Sequence, residues 1–397
     1  MYANPFRFGA LAQDEAFVDR EAELDALLAD LRSGQDVVLL APRRYGKSSL
    51  ALRAMRRAAA EDVLVGYCDL LRTPTKERFA GALARTIAHD LMSPLEGLLD
   101  RAARVVRGLR VRPTLEVDPD GASVRFTFEP ARTSADIDET LERLLELPGK
   151  IGAERGRRVA LVLDEFQEVV RLDPALPNLM RSVFQTQPEV AHLYLGSKQH
   201  VIGSLFNDRN EPFWRSARHM TLGRIPREAF AAHLRERFAA TERDADDEAV
   251  GLILELTDGH PYATQELAFF TWGHVPQGYP TRTGDVRAGL ADVLNAEHNN
   301  LERIWDAATT NERLVLLALR AGPLSLFSDE TRRMHGLPTA TFVQRAAKGL
   351  LRDDVIEKRP DGRYAIAEPF LAEWLERATA APPPASSSDS TASTSAP

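Results

Sequence analysis

Cysteine is almost absent from this 397-residue chain: Cys68 is the sole one, so no intrachain disulfide and no cysteine-rich metal cluster can form. Cys68 stands in an apolar stretch and reads as a buried, inert thiol. The nine histidines never fall into a ligand spacing such as HExxH, so no zinc site is expected. No run of about 18 apolar residues occurs, which argues against a membrane span. The opening residues lack the charged and apolar regions of a secretory signal, and the expected compartment is the cytoplasm. An excess of positive charge is missing too. Fifty Lys plus Arg against 58 Asp plus Glu give a net charge of −8, so the whole surface is not a nucleic-acid footprint, although a local basic face is compatible with that total. What is present, 44% hydrophobic and 27% charged residues, is the composition of a soluble globular protein of two or three domains.

Residues 36–165 alternate strand and helix signals, and two further strand signals follow at 192–197 and 218–222. The short apolar runs at 36–40, 63–70, 158–166, 192–197 and 218–222 read as strands covered on both faces, the mark of a parallel sheet between helix layers. Residues 47–60 read as a helix with Leu50, Ala54 and Ala58 at a spacing of four. Residues 111–128 break the rhythm with a hairpin signature around Asp118-Pro119-Asp120-Gly121, expected to protrude as an insertion. From about 226 the pattern is helical. From 309 three helices are expected, the first opened by a capping box at Thr309 and Glu312, the second capped by Ser328 and the third by Thr339. The third has an apolar face of Val343, Ala346, Ala347, Leu350 and Leu351. A hairpin of 355–358 and 364–366 completes the order of a winged helix-turn-helix. The expected domains are therefore a core over 1–225 with the hairpin near 111–128, a helical segment over 226–305, a winged helix over 306–378 and a disordered Pro/Ala/Ser/Thr-rich tail over 379–397.

The strongest chemical signal is Ala41-Pro42-Arg43-Arg44-Tyr45-Gly46-Lys47-Ser48-Ser49, between the first strand and its helix. This is the setting of a phosphate-binding P-loop, in which backbone N–H groups and the helix N-terminus face phosphate oxygens. Lys47 would reach the β- and γ-phosphates and the Ser48 hydroxyl would ligate Mg²⁺. Ala41 replaces the first glycine of the usual pattern. The second signal is a strand ending in Asp164-Glu165. Asp164 can hold Mg²⁺, and Glu165 can polarise an attacking water, which implies hydrolysis and not binding alone. Ser197, at the end of the fourth strand, either orients that water or is a plain turn residue. Arg215 and Arg218 are either transition-state cations, in cis or from a second subunit, or ordinary surface arginines.

FVDREAEL (17–24), APRRYGKSSL (41–50), LVLDEFQEV (161–169), the GSK strand end, FWRSA (213–217) and GHPY (259–262) occur together in order. As a set they resemble the archaeal-ATPase group of P-loop ATPases, within the STAND branch of the AAA+ class. The resemblance covers residues 4 to about 376. It implies an α/β fold: a parallel AAA+-type core sheet of order 5-1-4-3-2, a helical lid over 226–305 and a C-terminal winged helix. It also implies that the turn at Phe17 and Val18 contacts adenine, and that Gly259-His260-Pro261 touches the base or ribose. A helix cap followed by a helix-starting proline would explain the same residues.

On the winged helix, Thr341, Gln344, Arg345, Lys348 and Arg352 lie opposite the apolar face and can contact DNA. Residues 311–378 carry 11 basic and 10 acidic side chains, so docking to an unidentified protein partner is an equal reading. Three functions are compatible with these features. The first is an ATP-hydrolysing switch using ATP, Mg²⁺ and ADP release. The second is a DNA-associated helper or loader ATPase, and the third a scaffold that holds nucleotide without turnover.

Overall fold

The computed structural model describes residues 2–11, 17–92, 97–118, 123–131, 133–359 and 361–380. The Pro119–Gly121 part of the hairpin turn, Pro360 and the tail from 381 lie outside them. The chain divides into two compact units, Met1–Leu290 and Ala291–Pro397.

In the first unit, β1 (Val37–Leu40), β2 (Leu64–Asp69), β5 (Val159–Asp164), β6 (Val190–Gly196) and β7 (Arg218–Thr221) form one sheet of order β2-β5-β6-β1-β7. Every pairing in it is parallel. This is the order that the family resemblance implied. The continuous apolar runs are explained by burial: each residue of β5 and β6 is buried, as a parallel strand between two helix layers requires. Side chains alternate between the layers with period two. Leu161 and Leu163 pack in one core with Phe79, Leu83 and Leu141. Ala160 and Val162 pack in the other with Leu24, Leu31, Leu50 and Ala54. Helix Lys47–Ala60 places Leu50, Ala54 and Ala58 inward, the stripe predicted from their spacing of four. Cys68 is buried and burial pushes its thiol up to about 12, the environment of an inert thiol.

The hairpin is antiparallel, β3 (Thr114–Val117) with β4 (Val124–Thr127). It does not project freely as expected. β3 is exposed along its length, but β4 buries Val124 and Phe126, as does the following Phe128. The contact with helix Lys76–Thr86 is so close that a Cβ on Gly81 would lie 2.5 Å from the Phe126 carbonyl oxygen. Helices Arg227–Ala239, Asp247–Thr257 and Pro261–His274 follow the sheet.

The second unit contains helices Thr310–Leu319, Asp329–Met334 and Ala340–Arg352, then β8 (Ile356–Lys358) paired antiparallel with β9 (Tyr364–Ile366). A bridge between Leu324 and Tyr364 widens the hairpin. The capping box at Thr309 and Glu312 is formed, and Ser328 caps its helix. Thr339 occupies the N-cap position but makes no side-chain cap bond, contrary to expectation. Of the predicted apolar face, Val343, Ala346, Ala347 and Leu350 are buried and Leu351 is half-buried. No helix among the described residues is long and apolar enough to cross a membrane.

The Gly81 approach gives a direct test of how the hairpin is seated. Gly81→Ala should lower the unfolding free energy by about 1–3 kcal/mol through overpacking, although alanine is the better helix former. Urea unfolding measures it.

Candidate functional site

The parallel register brings the ends of β1, β5 and β6 to one edge of the sheet, where ligands of open α/β sheets bind. There the loop 41–46 turns from β1 into helix Lys47–Ala60. Arg44 (φ 65°) and Gly46 (φ 85°) both take left-handed backbone conformations, and Gly46 is the N-cap of the helix. Glycine is the residue that adopts this geometry without steric cost. The buried Lys47 donates its ammonium protons to the carbonyls of Ala41 (2.8 Å) and Pro42 (2.9 Å).

Asp164 ends β5 beside this loop. Its Oδ2 accepts from the Ser48 hydroxyl at 3.0 Å and from the Tyr67 phenol, and its Oδ1 accepts from the backbone N–H of Glu165 at 2.8 Å. Tyr67 was not anticipated, because a tyrosine inside an apolar strand reads as core. Its phenol is held far above its ordinary range, first by burial and then by the Asp164 charge, so it acts only as a neutral donor. Glu165 has φ 54°, a left-handed conformation uncommon for a residue other than glycine. Its Oε2 accepts from the Ser197 hydroxyl at 2.8 Å and from the Gln167 amide. Gln167 is buried, and its Oε1 has no hydrogen-bond partner among the described residues. It too was missed, since glutamine carries little sequence signal.

Lys47, Ser48, Glu165, Gln167 and Ser197 open onto a cavity of about 710 Å³ whose lining does not include Asp164 or Tyr67, within the usual size of a small-molecule site. Residues 43–49, Glu165, Gln167 and Ser197 line it, as do the cations Arg7, Arg20, Arg171 and Lys198. Phe17, Val18, Ile225, Phe230, Pro261 and Tyr262 supply apolar wall. The lining therefore combines an excess of cations over the acids Glu165 and Glu168 with apolar side chains. Arg20 takes φ 74° and donates to the Gly223 carbonyl, which fixes the turn following Val18. The Arg44 guanidinium stacks 4.1 Å from the Tyr262 ring centroid.

The remaining predicted residues fall elsewhere. Ala41 and Pro42 hold Lys47 and do not line the cavity. His260 does not line it either. Its Nδ1 accepts from the Ala263 N–H at 3.3 Å as the helix N-cap, and its ring packs edge-on against Tyr45, centroids 4.7 Å apart. Pro261 lines the wall instead. Arg215 is exposed, stacks on Trp214 with 4.9 Å to the centroid and lies outside the cavity lining. Arg218 pairs with Asp30.

The donor set has the character of a site for a polyanion with a hard cation. Among the described residues no group of three or more His, Cys, Asp or Glu could hold a metal by itself. One carboxylate beside one hydroxyl, Asp164 with Ser48, is a donor pair that could hold a hard cation only together with phosphates and water.

A family model described as an ATPase domain predominantly from Archaea matches residues 17–267. A second, described as a probable winged helix domain, matches residues 299–377. Among solved structures, the Walker-type ATPase PABY2304 of Pyrococcus abyssi is similar with a TM-score of 0.64 and 20% identity, covering 94% of this chain and 99% of that one. The ORC2 protein of Aeropyrum pernix, solved as ADPNP–ADP complexes, is similar with a TM-score of 0.55 and 14% identity, covering 94% of this chain and 96% of that one. At these identities the likeness is one of fold. No curated protein sequence matches the chain.

The buried His260 gives the site region an acid sensitivity. Burial first, then the charges of Arg224 and Arg44, lower its pKa from 6.5 to about 3. Between those values the unfolded chain binds a proton that the folded chain excludes. The associated stability is complete above the unfolded value and drains as the pH falls toward the folded one. His260→Asn keeps an N-cap acceptor and removes this dependence. The slope of unfolding free energy against pH between about pH 6 and about pH 4 should become shallower by about 1.4 kcal/mol per unit, as read from urea unfolding.

Proposed function

The chain belongs to the family of ATPase domains found predominantly in Archaea, and from that premise we propose that it binds and hydrolyses ATP as a cytoplasmic nucleotide switch. The observation that carries this reading is the convergence at one sheet edge of the 41–49 loop, Asp164 bonded to Ser48, and Glu165 bonded to Ser197. The backbone amides of 43–48 and the N-terminus of helix Lys47–Ala60 bind the triphosphate. Lys47 exchanges its two loop carbonyls for phosphate oxygens. Ser48 and Asp164 are the residues that would hold Mg²⁺, which supplies charge neutralisation at the phosphate oxygens when bound. Phe17, Val18 and Pro261 face the base.

Glu165 takes the proton of the attacking water. Ser197 and Gln167 both bond its Oε2, which pins the carboxylate and leaves Oε1 as the accepting oxygen. Arg215, exposed and outside the cavity lining, contributes to the chemistry only if a neighbouring copy presents it. The switch itself is of the STAND type: loss of the γ-phosphate changes the relation between a core over 1–225, a lid over 226–305 and a winged helix over 306–378. The presence of Pro261 and Tyr262 in the cavity wall supports a lid that senses the nucleotide. A protein partner would read that change.

A second reading, association with DNA, is favoured by one observation. Arg345 and Lys348 are exposed on helix Ala340–Arg352 and make no ion pair among the described residues. Arg352, by contrast, is engaged by both Asp353 oxygens at 3.0 Å, which offsets its charge. Replacing Arg345 and Lys348 together with Ala should weaken duplex binding at low salt and reduce the slope of log affinity against log salt by about 2, while Arg352→Ala changes it little. Unchanged binding in the double variant contradicts this reading.

The ATPase reading is tested by two substitutions. Lys47→Ala should weaken ATP binding by roughly 100-fold or more. Glu165→Gln should bind ATP with wild-type affinity and lower kcat by about 10²–10⁴, measured by calorimetry and phosphate release. Wild-type turnover in Glu165→Gln rules out the mechanism, and absence of turnover in the wild type favours a nucleotide-holding scaffold.

A further inference from the structure

Tyr67 has no part in the binding and hydrolysis steps above, yet it is bonded to the carboxylate at their centre. It lies on β2, the edge strand beside β5. The parallel register sets Tyr67 opposite Val162 and Asp69 opposite Asp164. Tyr67 and Val162 pack in the same core, and Asp164, two residues beyond Val162, shares that face because strand side chains alternate with period two. From there the long Tyr67 side chain reaches diagonally to the end of β5, where its phenol donates to Asp164 Oδ2. The same oxygen accepts from the Ser48 hydroxyl at 3.0 Å, and Oδ1 accepts from the Glu165 N–H at 2.8 Å. Two donors on one oxygen and one on the other fix the rotation of the carboxylate. Asp164 is 7% exposed and does not line the cavity, whereas Ser48 does. The Ser48 hydroxyl thus commits its proton to the buried carboxylate. What it has left for a group in the cavity is oxygen lone pairs, so it offers a ligand and not a donor.

We infer that Tyr67 is a positioning residue for cation binding: its phenol holds the Asp164 carboxylate in the orientation that keeps the Ser48 oxygen available as a ligand. The inference rests on the nucleotide and Mg²⁺ reading of the site and deepens it by naming the residue that orients the donor pair. Without the phenol, the buried Oδ2 keeps a single donor and one lone pair empty. An unpaired buried acceptor is costly, and the carboxylate relieves that cost by rotating toward water. The Ser48 proton then follows the carboxylate or loses it, and the hydroxyl oxygen is no longer held for a cation. Outer partners that orient the ligands of a metal tune its affinity by about 10–100-fold. Tyrosine suits this task because its ring is packed in the core of the sheet, which leaves the hydroxyl little freedom. Tyr67 itself does not line the cavity, so it acts through Asp164 and Ser48 and is not a catalytic residue.

The test is equilibrium binding of ATP to the full chain, in EDTA and across a Mg²⁺ titration. Phenylalanine keeps the ring and drops only the donor. Tyr67→Phe should bind ATP in EDTA as wild type does, and should need about tenfold more Mg²⁺ to reach the Mg²⁺-dependent affinity. A role confined to packing would instead weaken binding alike under both conditions. Asp164→Asn supplies the second arm. On that background Tyr67→Phe should cause no further change in the Mg²⁺ requirement, because the phenol acts through the carboxylate. Where wild type shows Mg²⁺-dependent binding, three results overturn the role of Tyr67 and leave the nucleotide reading standing. They are a Mg²⁺ titration unchanged in Tyr67→Phe, an equal loss of affinity with and without Mg²⁺, and a full shift retained on the Asp164→Asn background. If wild type binds ATP equally with and without Mg²⁺, the cation reading falls together with the role of Tyr67. If wild type binds no ATP, the nucleotide reading falls as well.

Discussion

The site depends on the carboxylate of Asp164. It accepts hydrogen bonds from three directions: Ser48 in the first turn of helix Lys47–Ala60, Tyr67 on β2, and the backbone of Glu165. One side chain thus ties β5, β2 and the first turn of helix Lys47–Ala60 together at the edge where the cavity opens. The same contact sets up Glu165. A left-handed backbone in a non-glycine residue costs about 1–3 kcal/mol. Here the Asp164 carboxylate holds the amide of Glu165, and Ser197 with Gln167 holds its side chain. The strain is maintained by fixed partners on both sides, and its result is a carboxylate aimed from a strand end with one oxygen occupied.

Much of this was legible in the sequence, and the reasons differ by residue. Gly46, Lys47 and Ser48 were legible because phosphate chemistry needs adjacent residues between a strand and a helix, a local demand. The acidic pair at the end of β5 was legible for the same reason. The strand order came from the family resemblance, since an isolated chain does not encode which parallel strand lies beside which in any local pattern. Tyr67 and Gln167 were not legible. Each acts through a partner that only the fold brings near, and each has a side chain common in ordinary strands and helices. His260 was ambiguous between cap and ligand, and the structure shows a cap whose ring packs on Tyr45. The seating of the hairpin on Gly81 was hidden because a glycine in a helix is as easily a weakness as a contact.

The winged helix illustrates how charge totals mislead. Its near-balance of acidic and basic residues argued neither way. The structure separates its cations by their neighbours: Arg352 is engaged by Asp353, whereas Arg345 and Lys348 project from the exposed face. The lone cysteine proved uninformative about chemistry for a physical reason, since its thiol is buried in β2 and stays protonated.

The central claim is that the 41–49 loop, Asp164 and Glu165 form one phosphate-processing centre. The most direct measurement is a crystal structure of the Glu165→Gln chain grown with ATP and Mg²⁺. The account predicts the triphosphate wrapped by residues 43–48, the Lys47 ammonium moved from the Ala41 and Pro42 carbonyls onto phosphate oxygens, and the metal beside Ser48 and Asp164. A triphosphate bound elsewhere, with Lys47 still on those two carbonyls, would contradict it.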